Sequence, residues 1–207
     1  MAQYFEIHPD NPQRRLIAHT VDILNKGGVI TLPTDSAYAF ACHIGDKKAL
    51  DKVRQIRQLS DKHQFTLICK DLTQVSNFTK INNDTYRLIK ALTPGPFTFI
   101  LDATKEVPKR LQHAKKKTIG IRIPNNVVSQ MIVEELDEPI CCSTLILPNN
   151  SDAETDPYEI RDRLEKEVEL IIDFGIIESQ ETTVIDCTDN EMEITRQGIG
   201  HASMLES

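Results

Sequence analysis

Gly27-Gly28-Val29-Ile30-Thr31-Leu32-Pro33-Thr34-Asp35-Ser36-Ala37-Tyr38 leaves a two-glycine turn, runs through aliphatic residues, stops at a proline and passes straight into small polar side chains. A short β-branched run bounded in this way predicts a buried strand over residues 28–32. Pro33 has no N–H to offer a ladder, so the strand is expected to end there. The hydroxyls of Thr34 and Ser36 and the carboxylate of Asp35 then gather at a strand's C-terminal end, where open α/β sheets bind ligands. The same residues would also suit an ordinary polar turn after a strand.

Working outward, strand and helix alternate. Upstream, Leu16, Ile17, Thr20, Val21 and Leu24 recur at helical spacing over residues 12–26, and Gly27 suits the C′ position. Downstream, helices are expected over residues 47–58, 72–78, 85–92 and 157–167, with strands over 65–69, 97–101, 118–123, 140–147, 170–174, 183–187 and 194–198. Asn125 suits an N-cap for a helix carrying Val128, Met131 and Ile132. Alternation along 118–123 and 194–198 places Arg122 and Arg196 on the face opposite the core. The pattern predicts an α/β (α+β) fold: one strongly twisted mixed β-sheet with helices on its faces, in a single domain over residues 1–207 whose core covers about 10–200.

Bulk properties narrow the classes. At 207 residues, 40% apolar and 27% charged, the chain suits one soluble domain. It has no apolar run of the length a membrane span needs. The N-terminus, with Glu6, His8 and Asp10, lacks signal-peptide character, so a cytoplasmic location is expected. Cys42, Cys69, Cys141, Cys142 and Cys187 lie in or beside apolar runs without a C-x-x-C pair and read as reduced thiols. On a strand, Cys141 and Cys142 face opposite sides, so one of them can face a ligand. The six histidines show no paired spacing, so no protein-ligated metal is expected; His63, in the turn before a strand, reads as a surface residue, with a place in the pocket wall as the alternative. The net charge of −7 argues against general nucleic-acid binding, yet residues 105–122 hold seven Lys/Arg against Glu106 alone. Within that stretch Lys109, Arg110, Lys115, Lys116 and Lys117 are the RNA-contact candidates, although Lys115-Lys116-Lys117 also suits a solvated loop.

Four further segments accompany the opening one: Thr93-Pro94-Gly95-Pro96-Phe97-Thr98, Thr118-Ile119-Gly120-Ile121-Arg122-Ile123-Pro124, Cys142-Ser143-Thr144, and Thr182-Thr183-Val184-Ile185-Asp186 followed by Arg196-Gln197-Gly198. In order and spacing this set resembles the YrdC-like family of threonylcarbamoyl-adenylate synthases, most of all its YciO branch. The resemblance implies a YrdC-like fold with a concave ligand cavity. It also implies a reaction in which ATP, L-threonine and bicarbonate give L-threonylcarbamoyl-AMP and pyrophosphate. That product feeds N6-threonylcarbamoylation of tRNA adenosine. ATP with Mg²⁺ and L-threonine are then the expected ligands, and catalysis is positioning and electrostatics without a nucleophilic side chain. Position by position, Thr34, Arg122 and Thr182 or Thr183 match amino-acid contacts, with Arg122 clamping the carboxylate. Arg57, Thr118, Thr144 and Arg196 match nucleotide-side positions.

Two positions depart from the family pattern. A Lys-x-Arg signature falls on Arg57-Gln58-Leu59, and a Ser-x-Asn signature on Thr144-Leu145-Ile146. Leu59 cannot neutralise a phosphate, nor can Ile146 hydrogen-bond a ligand. At about 1.5–3 kcal/mol for each missing charge-assisted hydrogen bond, this predicts synthase activity weakened by ~10²–10⁴-fold, or a pocket altered for another small ligand. An alternative expectation is a non-catalytic module that binds double-stranded RNA or tRNA during RNA or ribosome maturation.

Overall fold

The computed structural model describes residues 1–189 and 191–205. Its elements in chain order are β1 (Gln3–Glu6), α1 (Arg14–Asn25), β2 (Ile30–Pro33), β3 (Tyr38–His43), α2 (Lys47–Arg57), β4 (Thr66–Ile68), α3 (Leu72–Phe78), β5 (Thr79–Lys80), α4 (Asn83–Leu92), β6 (Phe97–Ala103), β7 (Thr118–Arg122), α5 (Val127–Leu136), β8 (Ile140–Thr144), α6 (Pro157–Leu164), β9 (Leu170–Asp173), β10 (Thr183–Asp186) and β11 (Glu193–Arg196). The strands make one mixed sheet in the order β1-β9-β2-β3-β8-β4-β7-β6-β10-β11, with β5 paired to β6. The expected mixed sheet with helices on its faces is therefore the architecture found.

Local chemistry sets the helix ends. Asp46, Asp71, Asn82, Asn126 and Asp156 each cap a helix by accepting a backbone N–H at its start, and Pro157 occupies the first turn of α6. The cap of α5 is Asn126 and not the expected Asn125, whose N–H is taken by the Asp35 carboxylate at 2.7 Å. Gly27 ends α1 at φ +82°, a conformation that favours glycine, and a Cβ there would displace the Asp46 carboxylate.

Two cores sandwich the sheet. On one face Val53 of α2, Val75 of α3, Ile89 of α4 and Ile160 of α6 pack with Phe40, Leu67, Phe99, Ile121 and Cys141. On the other, Val21 and Leu24 of α1 and Ile132 and Val133 of α5 cover Ile30, Ala41, Ile68 and Ile140. That second helical layer spans only part of its face, and the stretch it leaves open is the floor of the cavity described below.

Several boundaries differ from expectation. Neither β1 nor β3 is signalled by the sequence: β1 is four residues long, and β3 is rich in small residues with every position from Tyr38 to Cys42 buried, so neither shows a two-residue period. β8 ends at Thr144, not at residue 147, because Ile146 N turns back to Thr144 O at 2.9 Å while Leu145 N reaches Tyr38 O. Pro33 lies within the β2 pairing, opposite Tyr38. Among the described residues no helix is long and apolar enough to cross a membrane.

Candidate functional site

A cavity of about 410 Å³, in the size range of small-molecule sites, opens over the uncovered part of the sheet. Register explains its floor. Thr66 pairs with both Gly120 and Cys142, and Ile100 with Gly120, so Thr66, Thr98, Gly120, Arg122 and Cys142 share one face. Val184 pairs with Thr98 and with Arg196, which brings Thr182 and Arg196 onto that face as well. The walls are the turn of Thr34, Ser36 and Ala37 together with residues 151–153 and 179–181, and Gln180 N donates to Ser36 O at 2.9 Å.

The turn after β2 is closed by the backbone and side chain of Thr34, whose N–H donates to Ala37 O at 3.2 Å. Thr34 Oγ1 donates to Ala37 O at 2.6 Å and accepts from the N–H groups of Ser36 and Ala37. This leaves Asp35 aimed at β7, where its Oδ1 accepts from Arg122 Nη2 at 2.6 Å. Ser36 Oγ lies 3.0 Å from the same nitrogen. The ion pair is buried, with 9% and 8% of the arginine and aspartate side chains exposed. Removing one partner of such a pair costs about 3–5 kcal/mol. Sequence alternation sets Arg122 opposite the core, a position open to solvent on many strands; here the residue is 7% exposed, because that face is the cavity floor.

Across the floor, Arg196 grips the chain before β10. Its Nη2 donates to Thr182 O at 2.9 Å and Thr182 Oγ1 at 3.0 Å, and Thr98 Oγ1 lies 2.8 Å from Thr182 Oγ1. Gly198 lies so close to the backbone of Glu181 and Thr182 that no Cβ fits between them. Of the two threonines left open by the sequence, Thr182 lines the cavity and Thr183 does not. Alternation turns Thr183 to the other face, where it donates to Gly200 O at 2.7 Å and accepts from Gly198 N.

At the rim, Arg57 Nε donates to Ile146 O at 2.9 Å and its Nη1 donates to Ser143 Oγ. His63 Nε2 lies 2.9 Å from the same hydroxyl. His63 is thus half-buried in a network and not a surface residue; burial, then the Arg57 and Arg54 charges, lower its pKa to about 4, so at neutral pH it is uncharged. Arg57 braces the rim and is absent from the lining, whereas Thr144 lines it. Ile146 also lines the cavity, while Leu59 packs against the main core. Thr118 sits apart, in an adjoining recess of about 210 Å³ that shares Gln64, Thr66 and Thr98 with the cavity and is bordered by His113 and Lys116.

Charge in the lining nearly cancels. Arg122 and Arg196 face Asp152 and Glu181, with Asp35 behind Arg122. Cys142 borders the cavity, yet burial pushes its thiol up to about 12 despite the nearby Arg122, so it is no thiolate. All five cysteines are free and buried. The expected RNA contacts lie on the loop between β6 and β7. Lys109, Arg110, Lys115, Lys116 and Lys117 are all exposed there. Two of them also bond to the backbone: Arg110 donates to the carbonyls of Ile44 and Gly45, and Lys117 Nζ to Ala114 O.

Sequence reasoning misses Thr66 and Ser143 as site and network residues, because hydroxyls inside apolar strands carry no local signal. Asp35 and Ser36 lie within the opening motif, but the partner that gives them a role, Arg122, is more than 80 residues away and visible only in the fold.

A profile of the Sua5/YciO/YrdC family, described as "Telomere recombination", matches residues 22–198. The chain is 52% identical over 200 residues to the Uncharacterized protein YciO of Escherichia coli (strain K12), covering 97% of each. It also superposes on the crystal structure of E. coli YciO with a TM-score of 0.94 at 50% identity, over 99% of this chain and all of that one. A Threonylcarbamoyl-AMP synthase of Coxiella burnetii (strain RSA 331 / Henzerling II) is 30% identical over 131 residues, 62% of this chain and 69% of that protein. P. abyssi Sua5 complexed with L-threonine shares the fold at a TM-score of 0.86 and 20% identity, over 94% of this chain and 57% of that one. The chain belongs to the Sua5/YciO/YrdC family.

Proposed function

We propose that this protein binds an α-amino acid beside an adenine nucleotide and is a weak or altered L-threonylcarbamoyl-adenylate synthase, linked through its product to tRNA N6-threonylcarbamoyladenosine. The observation that carries this is Arg122: a buried guanidinium lining a hydroxyl-rich cavity, suited to a carboxylate. Relatives named as threonylcarbamoyl-AMP synthases and a Sua5 neighbour with L-threonine bound support the ligand classes. Amino-acid contacts would come from Arg122 and Thr182 and, since its hydroxyl is spent on the turn, from the backbone and methyl of Thr34; nucleotide contacts would come from Thr118, Thr144 and Arg196. Mg²⁺ would arrive with ATP. Because the lining charges nearly cancel and Arg57 is committed to Ser143 and Ile146 O, the cavity offers a triphosphate little net positive charge. A pyrophosphate leaving group is then poorly stabilised, which supports slow turnover.

The test is pyrophosphate release from ATP with L-threonine, bicarbonate and Mg²⁺, beside calorimetric titrations of each ligand. Slow, threonine-dependent release that Arg122→Ala abolishes is the expected result. No heat from either ligand would remove the basis of the assignment. The exposed Lys109, Lys115 and Lys116 favour a second reading, a contact with double-stranded RNA or tRNA, for which affinity should fall steeply with salt.

A further inference from the structure

We infer that Asp35 is a positioning residue, which holds the Arg122 guanidinium by its Nη2 corner so that Nη1 is left to face the amino-acid carboxylate; this rests on the amino-acid reading above. Asp35 does not line the cavity, whereas Arg122 and Ser36 do. Its two oxygens are divided between two elements: Oδ1 takes Arg122 Nη2 of β7, and Oδ2 takes the Asn125 N–H ahead of α5 at 2.7 Å. The carboxylate is itself fixed, since Thr34 Oγ1 closes the turn that bears it. Ser36 Oγ reaches the same Nη2 from the cavity side, and Arg122 Nε is buried with no partner among the described residues. One nitrogen therefore accounts for both of these side-chain bonds of the guanidinium. A long, flexible side chain that would otherwise sample many rotamers is thereby held in one pose before any ligand arrives. Asparagine at 35 cannot reproduce this, because its amide offers one acceptor where two donors converge.

Two measurements separate this inference from the amino-acid reading. The first follows the Arg122 Nε–H cross-peak in ¹⁵N-labelled protein, assigned by its loss in Arg122→Lys. Its hydrogen exchange is expected to accelerate at least about tenfold in both Asp35→Asn and Asp35→Glu, the second of which keeps the charge but displaces it by one methylene. The second is titration with L-threonine and, separately, with ATP. Threonine affinity is expected to fall about tenfold or more in both variants while ATP affinity holds. Should D35N not fold, D35E alone decides. Parent-like exchange in either folded variant overturns the inference, as does parent-like threonine affinity in D35E. If the parent binds no threonine, the amino-acid reading fails and the cross-peak still decides whether Asp35 positions Arg122.

Discussion

Single side chains divide the two departures from the family pattern into unlike cases. Ile146 lines the cavity, so exchanging it changes what a ligand meets. Leu59 is half-buried against the main core, away from the lining. Ile146→Asn is therefore expected to raise pyrophosphate release about tenfold or more, as one polar contact is regained. Leu59→Arg should instead lower stability by about 1–2 kcal/mol through reduced apolar burial, without a gain in rate. Steady-state assays and urea midpoints on the two single variants check this; a rate gain from Leu59→Arg alone would contradict the placement. Ser143 is the reverse case. It is an unremarkable hydroxyl in an apolar strand, yet Arg57 and His63 converge on it, because β8 ends one residue later beside the end of α2.

Among the elements, the junction of α1 with β2 is the most tightly specified. Gly27 takes a left-handed conformation, and its open side faces Asp46, the residue that caps α2 by accepting from Ala49 N at 2.9 Å. One glycine thus permits both the end of one helix and the start of another. Gly27→Ala should cost about 1–3 kcal/mol, from the positive φ and the displaced carboxylate. Asp46→Ala alone should cost about 1 kcal/mol through removal of the cap. Since part of the first penalty is the collision with Asp46, the double variant should lose less than the sum, as denaturant melts of all four proteins would show. Strict additivity would mean that the two helices are not coupled there. The periodic helices and most strands are legible because amphipathic spacing is local. β3 is not, because burial on both faces erases alternation.

For the whole molecule, His63 ties stability to pH. Unfolded, its imidazole takes a proton near the ordinary value of 6.5; folded, burial and the Arg57 and Arg54 charges hold it to about 4. The unfolded chain therefore binds more protons between these values. The stabilisation is complete above about pH 6.5 and is lost as pH falls toward 4. Allowing for partial exposure, the loss is on the order of 1–2 kcal/mol. Melting temperatures of the parent should drop between pH 6.5 and 5, a drop that His63→Gln should flatten; equal slopes would show that other groups dominate.

The order of strands and helices, the polar turn at Thr34 and the charge-bearing Arg122 and Arg196 follow from the sequence, since propensity, periodicity and motif spacing act over a few residues. Which groups meet does not. A β-strand presents alternate residues to opposite faces, and only the pairing of β10 with β6 and β11 turns Thr182 to the cavity and Thr183 away from it. Likewise, only the adjacency of the β2 turn and β7 sets Asp35 behind Arg122. The sequence determined which chemistry the chain carries; the tertiary structure decided which of it shares one cavity, because hydrogen bonds and ion pairs depend on separations of a few ångströms that long-range sheet register alone sets.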